Sequence, residues 1–193
     1  MGDASGIQSP LSFGGFGALT RHLKRVTAGV SEALEADLLD RNNLAAINAY
    51  SPGLSGSWLF QKSMSVPVGA NPNNDLINNI LATNFGTMRK LGDPVLYPFL
   101  QDVVQWGPLA QTMAGMVVNN PLLLPEMLAS IGPGPIADWM GHFALLGAYD
   151  VLHKVSGPLS AARKTLPMDK EQRFRWNRQL EAWEYGSGSD YRL

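Results

Sequence analysis

Cysteine is absent from the 193 residues. That excludes disulfides, thiolate metal ligands and a cysteine nucleophile, so any redox chemistry needs a borrowed cofactor, and a cytosolic or organellar compartment is compatible. Charge is scarce as well: Asp, Glu, Lys and Arg make up 16% of the chain and the net charge is −1, with one short basic cluster, Arg21-His22-Leu23-Lys24-Arg25. Such a balance lacks the electrostatic footprint that nucleic acid demands, and nucleic acid is set aside as a partner. No stretch approaches the roughly 18 uninterrupted apolar residues that read as a spanning helix, and no charged-then-apolar leader or other targeting peptide is read in the chain. Convincing period-two runs are missing too, outside a candidate strand from Gln61 to Val68. What is present is an apolar fraction of 45%, enough for a core and against disorder. One domain, or a domain with an appendage, is the expectation.

The helical period dominates. Leu19, Leu23, Val26, Val30, Leu34 and Leu38 recur every three or four residues, an apolar stripe on a helix expected from about Gly15–Gly17 to Asp40. Short helices are expected over Arg41–Ala49 and Ser57–Met64, a loop over Val68–Asn74, and a longer helix over Asn74–Leu91 with Leu76, Ile77, Ile80, Leu81 and Phe85 on one face. Three segments punctuated by Pro108, Pro121 and Pro125 follow, then a break at Gly132-Pro133-Gly134-Pro135. Ile136–Val155 reads as a long apolar helix. Met168–Tyr185 reads as a charged amphipathic one, with Phe174, Leu180 and Trp183 inside and Lys170, Glu171, Arg173, Arg175 and Arg178 outside. Gly186 to Asp190, Gly-Ser-Gly-Ser-Asp, reads as a flexible tail. The fold class is therefore mainly α.

Gly2-Asp3-Ala4-Ser5-Gly6-Ile7-Gln8-Ser9-Pro10, then Gly14-Gly15-Phe16-Gly17 at a helix start, is the stretch with the most chemical content. Backbone amides at a helix N-terminus with little side chain in the way accept an anion or an electron-rich carbonyl. Asp3 could accept hydrogen bonds from ligand hydroxyls. The helix that follows has Arg21, His22, Lys24 and Arg25 early and Glu32, Glu35 and Asp37 late, opposite to the usual dipole preference. A negatively charged ligand would explain that order; a solvated basic face before an ordinary glycine turn is the bland alternative.

Gly2 to Pro10 resembles the second FAD fingerprint of the flavoprotein monooxygenase, geranylgeranyl reductase and lycopene cyclase superfamily: an apolar strand end, Gly-Asp-Ala, a proline six residues after the alanine, and a glycine-rich turn into a helix. The glycine run here begins four residues after Pro10, where the family often has three. The resemblance implies that Asp3 binds the ribityl chain of FAD, and that Pro10, Gly14, Gly15 and Gly17 form the flavin-facing turn together with the Gly2 step. Ser9 to Leu19, Ser57 to Gln61 and Trp183 to Tyr191 are similar to plant and algal plastid FAD-dependent oxidoreductases of lycopene cyclase-like type. In that superfamily the Gly-Asp motif lies late, after a Rossmann-type strand, glycine fingerprint and helix that hold the ADP half of FAD. No Gly-x-Gly-x-x-Gly follows a strand here; Gly132-Pro133-Gly134 lies between helices.

The resemblance thus implies the helical C-terminal part of an FAD/NAD(P)-binding flavoprotein from a photosynthetic eukaryote, its sheet domain and N-terminal FAD-binding portion largely missing. Residues 1–40 would end the FAD-binding domain, 41–185 would form a helical C-terminal region, and 186–193 a tail. The parent would act on a lipophilic isoprenoid or carotenoid in the chloroplast, while this chain alone would bind FAD weakly and be inactive. A non-catalytic helical interaction module, with peripheral membrane contact through Leu122–Leu124 or Trp139–Tyr149, is the competing class. Asp138 and His142 sit four apart on one helical face, with Asp150 and His153 beyond. They could serve a metal or proton transfer, as in a metal-dependent hydrolase, but a structural pair explains the spacing and no third ligand stands at metal spacing. His22 beside the glycine turn is a candidate catalytic neighbour of the flavin. The five tryptophans could line an apolar pocket, or simply fill a core.

Overall fold

A computed structural model describes residues 15–48, 50–66, 68–69, 73–163 and 167–192. Among them the chain is a bundle of nine helices without a strand: α1 Gly15–Ala36, α2 Arg41–Ile47, α3 Gly53–Ser63, α4 Leu76–Leu91, α5 Asp93–Leu100, α6 Trp106–Asn119, α7 Leu123–Ile131, α8 Pro133–Arg163 and α9 Lys170–Gly186. The candidate strand at Gln61–Val68 is overturned, because its first residues complete the helix that begins at Gly53.

Local chemistry sets the boundaries. Asp40 caps α2 by accepting hydrogen bonds from the Asn42 and Asn43 amides at 2.9 and 3.2 Å. Those amides, Asn43 first, hold its carboxyl below the usual aspartate range. At α9, Asp169 accepts from the Gln172 amide at 2.8 Å and the Gln172 side chain accepts from the Asp169 amide at 3.3 Å, a reciprocal cap that fixes the start at Lys170. The expected break at Gly132–Pro135 is shorter than its composition suggests. Gly132, at φ 85°, makes the turn, and Pro133 opens α8 where a first-turn nitrogen needs no partner.

Two clusters form the core. Leu76, Ile80, Met116, Leu123 and Met127 gather α4, α6 and α7, with Phe60 and Met64 of the α3 segment packed against them. Ala33, Ile47 and Phe174 join α1, α2 and α9. The long α8 lies against α3, α6 and α7 on one side and α9 on the other, and so ties the halves together.

Three expectations fail on packing. On α1 the buried row is Ala18, His22, Arg25, Gly29 and Ala33, while Leu19, Leu23 and Leu34 of the expected stripe face solvent, Leu23 and Leu34 at 56% and 60% exposure. Close approach explains one point of that row, since a Cβ on Gly29 would stand 2.2 Å from an Arg178 guanidinium nitrogen and 3.2 Å from Ile47; Val26, Val30 and Leu38 of the stripe do pack against the Ala33, Ile47 and Phe174 cluster. On α9 the buried row is Phe174, Arg178, Ala182 and Gly186, which moves Arg178 from the outer face to the interior. The segment from Gly186 to Asp190 packs into the body rather than trailing from it. Ser187 is buried, the Ser189 amide donates to the Glu184 carbonyl at 2.9 Å, and Gly188, at φ 74°, lies against Val103 and Gln105.

Candidate functional site

Gly2, Asp3, Pro10 and Gly14 lie outside the described residues. Gly15 and Gly17 fall in the first turn of α1, and a Cβ on Gly17 would meet nothing within 4 Å. Beside that turn runs an open groove of about 680 Å³ between α1, the end of α5 and the C-terminal segment, lined by Thr20, Arg21, Gln101, Val103, Asp190 and Tyr191.

Two members of the basic cluster behind it, Arg21 and Arg25, have partners inside the protein. Arg21 makes a two-pronged ion pair with Asp190, its Nε donating to Oδ2 at 2.7 Å, and also donates to the Tyr185 carbonyl at 3.1 Å. Arg25 donates to the Ile47 carbonyl at 2.5 Å, and both guanidiniums lie near the Tyr185 ring, 5.7 and 5.5 Å from its centroid. Arg21 and Arg25 of the early basic residues thus have partners inside the protein, while Lys24 is exposed. Further along, Arg178 sits between Glu32 and Glu181, at 3.0 and 2.8 Å, over the Phe174 ring. Burial raises the Glu181 pKa, against the pull of Arg178 and Arg25.

His22 is inside this cluster, 6% exposed, its ring 5.3 Å from that of Tyr185. Burial first, then Arg21 and Arg25, push its pKa down to about 4, with Asp190 pulling the other way. It is a neutral imidazole at physiological pH. The cluster does not present it to the groove as a solvent-accessible acid.

A second site emerges where sequence spacing showed only half of it. His142 Nε2 stands 3.6 Å from Asp138 Oδ2, one turn earlier on α8. The other ring nitrogen, Nδ1, is hydrogen-bonded to the hydroxyl of Tyr50, from the segment that leads into α3. Tyr50 is 92 residues away, so no local pattern could have found it. The Tyr50 hydroxyl donates to Nδ1 or accepts from it according to the imidazole tautomer. Burial raises the Tyr50 pKa, helped by Tyr149 and Asp138, so the phenol keeps its proton at neutral pH. Asp150 and His153 do not extend this site: Asp150 instead accepts from Lys154 at 2.6 Å.

Tyr50, His142 and Asp138 border an open cleft of about 760 Å³ between α3 and α8, which Trp58 and Trp139 also line. Trp139 and Leu59 are shared with a second, almost wholly apolar cavity of about 110 Å³ behind them, bounded by Phe60, Met113, Met116 and Ile136. The other tryptophans serve packing: Trp106 stacks on Phe143 and Trp176 meets Trp183 edge-on. Among the described residues no three His, Asp or Glu side chains gather as a metal group, and no helix is long and apolar enough to cross a membrane. No family model, no curated protein and no solved structure matches this chain.

Proposed function

We propose that the chain is the helical C-terminal part of an FAD-dependent oxidoreductase or lycopene cyclase-like flavoprotein acting on a lipophilic isoprenoid- or carotenoid-type substrate. The observation that carries this reading is the Gly2-Asp3-Ala4 to Pro10 motif running through Gly14-Gly15-Phe16-Gly17 into α1. Asp3 would hold the ribityl chain, and the amides of Gly14, Gly15 and Gly17 would face the pyrimidine edge of the isoalloxazine. The open turn at Gly17 and the groove beside it are compatible with that role. FAD, when bound, supplies the redox chemistry; Asp3 and the turn only bind and orient it. The solvent-facing Leu19, Leu23 and Leu34 support the reading from another side, since a clustered apolar face on one helix is a surface that a further body of protein covers. Plastid location rests on the same resemblance.

The transcript across the Met1 codon provides the test. If an upstream frame encodes a strand, a Gly-x-Gly-x-x-Gly turn and a helix, the longer protein is expressed, and Asp3→Ala is expected to yield it free of FAD. Stoichiometric flavin retained by that variant refutes the assignment. A stop codon directly upstream favours the second reading, a non-catalytic helical interaction module with peripheral membrane contact. One observation speaks for that module: Arg21 and Arg25 have protein partners and need no cofactor.

A further inference from the structure

The cleft between α3 and α8 stands apart from the glycine turn, and the inference drawn from it is independent of the flavin reading. Three features coincide there. Tyr50 and His142 are joined by a hydrogen bond, and Asp138 lies on the far ring nitrogen, so a phenol hydroxyl is held in a fixed direction at the cleft wall. Trp58, 56% exposed, offers an indole face to the same space, while Trp139 is clamped in place by stacking on Phe143 at 5.1 Å. The wall formed by Leu59 and Trp139 is backed by an apolar cavity rather than by tightly filled core.

We propose that this cleft is a binding site for a neutral, ring-shaped apolar compound carrying a hydroxyl or carbonyl oxygen, with Trp58 and Trp139 contacting the ring and Tyr50 the oxygen. Neutrality follows from the lining charges: one cation, Lys62, and one anion, Asp138, leave no net field for an ion. The apolar body follows from the indoles and leucines, which gain by removing such a surface from water. The oxygen follows from Tyr50, on a wall that Asn48, Ser51 and Gln61 also make polar. With the phenol donating to His142 Nδ1 its oxygen accepts a ligand hydroxyl, and with the imidazole donating to the phenol its O–H donates to a ligand carbonyl. His142 is a positioning residue: its hydrogen bond with Tyr50 holds the phenol at the cleft wall.

The test uses the 193-residue chain and two probes of matched shape, 2-naphthol and naphthalene, titrated against tryptophan fluorescence and against the ring nitrogens of the three histidines by NMR. 2-Naphthol is expected to bind about 2- to 12-fold more tightly than naphthalene, the worth of one hydrogen bond. It should move the His142 resonances and leave those of His22 and His153 in place. Tyr50→Phe should keep naphthalene binding and abolish the preference, and Trp58→Ala should weaken both probes. His142→Gln, whose side-chain carbonyl can still accept from Tyr50, should retain the preference better than His142→Ala. Equal affinity for the two probes, no binding of either, or a preference that survives Tyr50→Phe would each overturn the proposal. Should the variants unfold, the selective His142 shift in the unaltered chain decides it alone.

Discussion

His22 gives the sharpest quantitative consequence of the α1–α9 interface. Its pKa falls from 6.5 to about 4 on folding, chiefly because burial penalises the imidazolium and secondarily because Arg21 and Arg25 stand beside it. The unfolded chain therefore binds a proton that the folded chain refuses between those two pH values, so stability rises with pH across the window. The contribution is complete above pH 6.5 and is lost as pH falls through 4. At 1.36 kcal/mol per unit, the full swing is about 3 kcal/mol, and about 2 kcal/mol of it is already gone at pH 5. Other groups add their own slopes: the raised Glu181 pKa opposes the loss and the lowered Asp40 pKa reinforces it. A variant isolates the histidine. Urea unfolding followed by helical circular dichroism, at pH 7, 6, 5 and 4.5, should give a steeper pH dependence for the natural chain than for His22→Phe, with the difference near 2 kcal/mol between pH 7 and 5. NMR titration should place the His22 ring near pH 4. A ring that titrates near 6.5, or identical pH slopes for the two proteins, refutes the claim that this imidazole is desolvated.

Two further substitutions probe the same end of the molecule. Arg178→Met removes the cation between Glu32 and Glu181 and leaves Glu181 facing a buried site, so a loss of about 3–5 kcal/mol is expected, read as a lower urea midpoint. A change below about 1 kcal/mol would mean that water already reaches the pair. Gly188→Ala adds a Cβ 2.8 Å from Val103 Cγ1 and 2.9 Å from Gln105 Cγ at a φ of 74°. It should cost about 1–3 kcal/mol and speed amide exchange at Ser189, whereas an unchanged melting temperature would return the C-terminal segment to the status of a tail.

Where a signal was local, the sequence carried it. The Leu76 and Ile80 row of α4 and the start of α2 follow from helical period, although Ile77 of that row faces solvent and α9 begins at Lys170, two residues after the expected start. The Asp138–His142 spacing was legible for the same reason. What the chain did not disclose depends on partners far away in it. The inner face of α1 was half legible: Val26, Val30 and Leu38 of the apolar stripe pack against the core, while Leu19, Leu23 and Leu34 face solvent and the small Ala18, Gly29 and Ala33, which period analysis scores as neutral, are buried. Arg178 looked like a solvated residue until Glu32, 146 residues earlier, supplied its partner. Gly186–Asp190 has the composition of a linker, yet Arg21 reaches it across 169 residues. Tyr50 belongs with these: nothing near it announces a histidine.

The same interface explains why α1 can hold two opposed surfaces. Inward, it attaches through Arg21, His22 and Arg25, and Arg178 of α9 reaches across to Glu32, so much of the attachment is charge-assisted hydrogen bonding whose strength depends on the exclusion of water. Outward, Leu19, Leu23 and Leu34 give little stabilisation while water covers them. Covering those leucines would both gain apolar burial and shield the charge network from the solvent side, lowering its effective dielectric. The two effects reinforce one another. A body docked on the outer face of α1 would therefore tighten the inner face as well, and the flavoprotein reading requires a body of that kind next to the glycine turn.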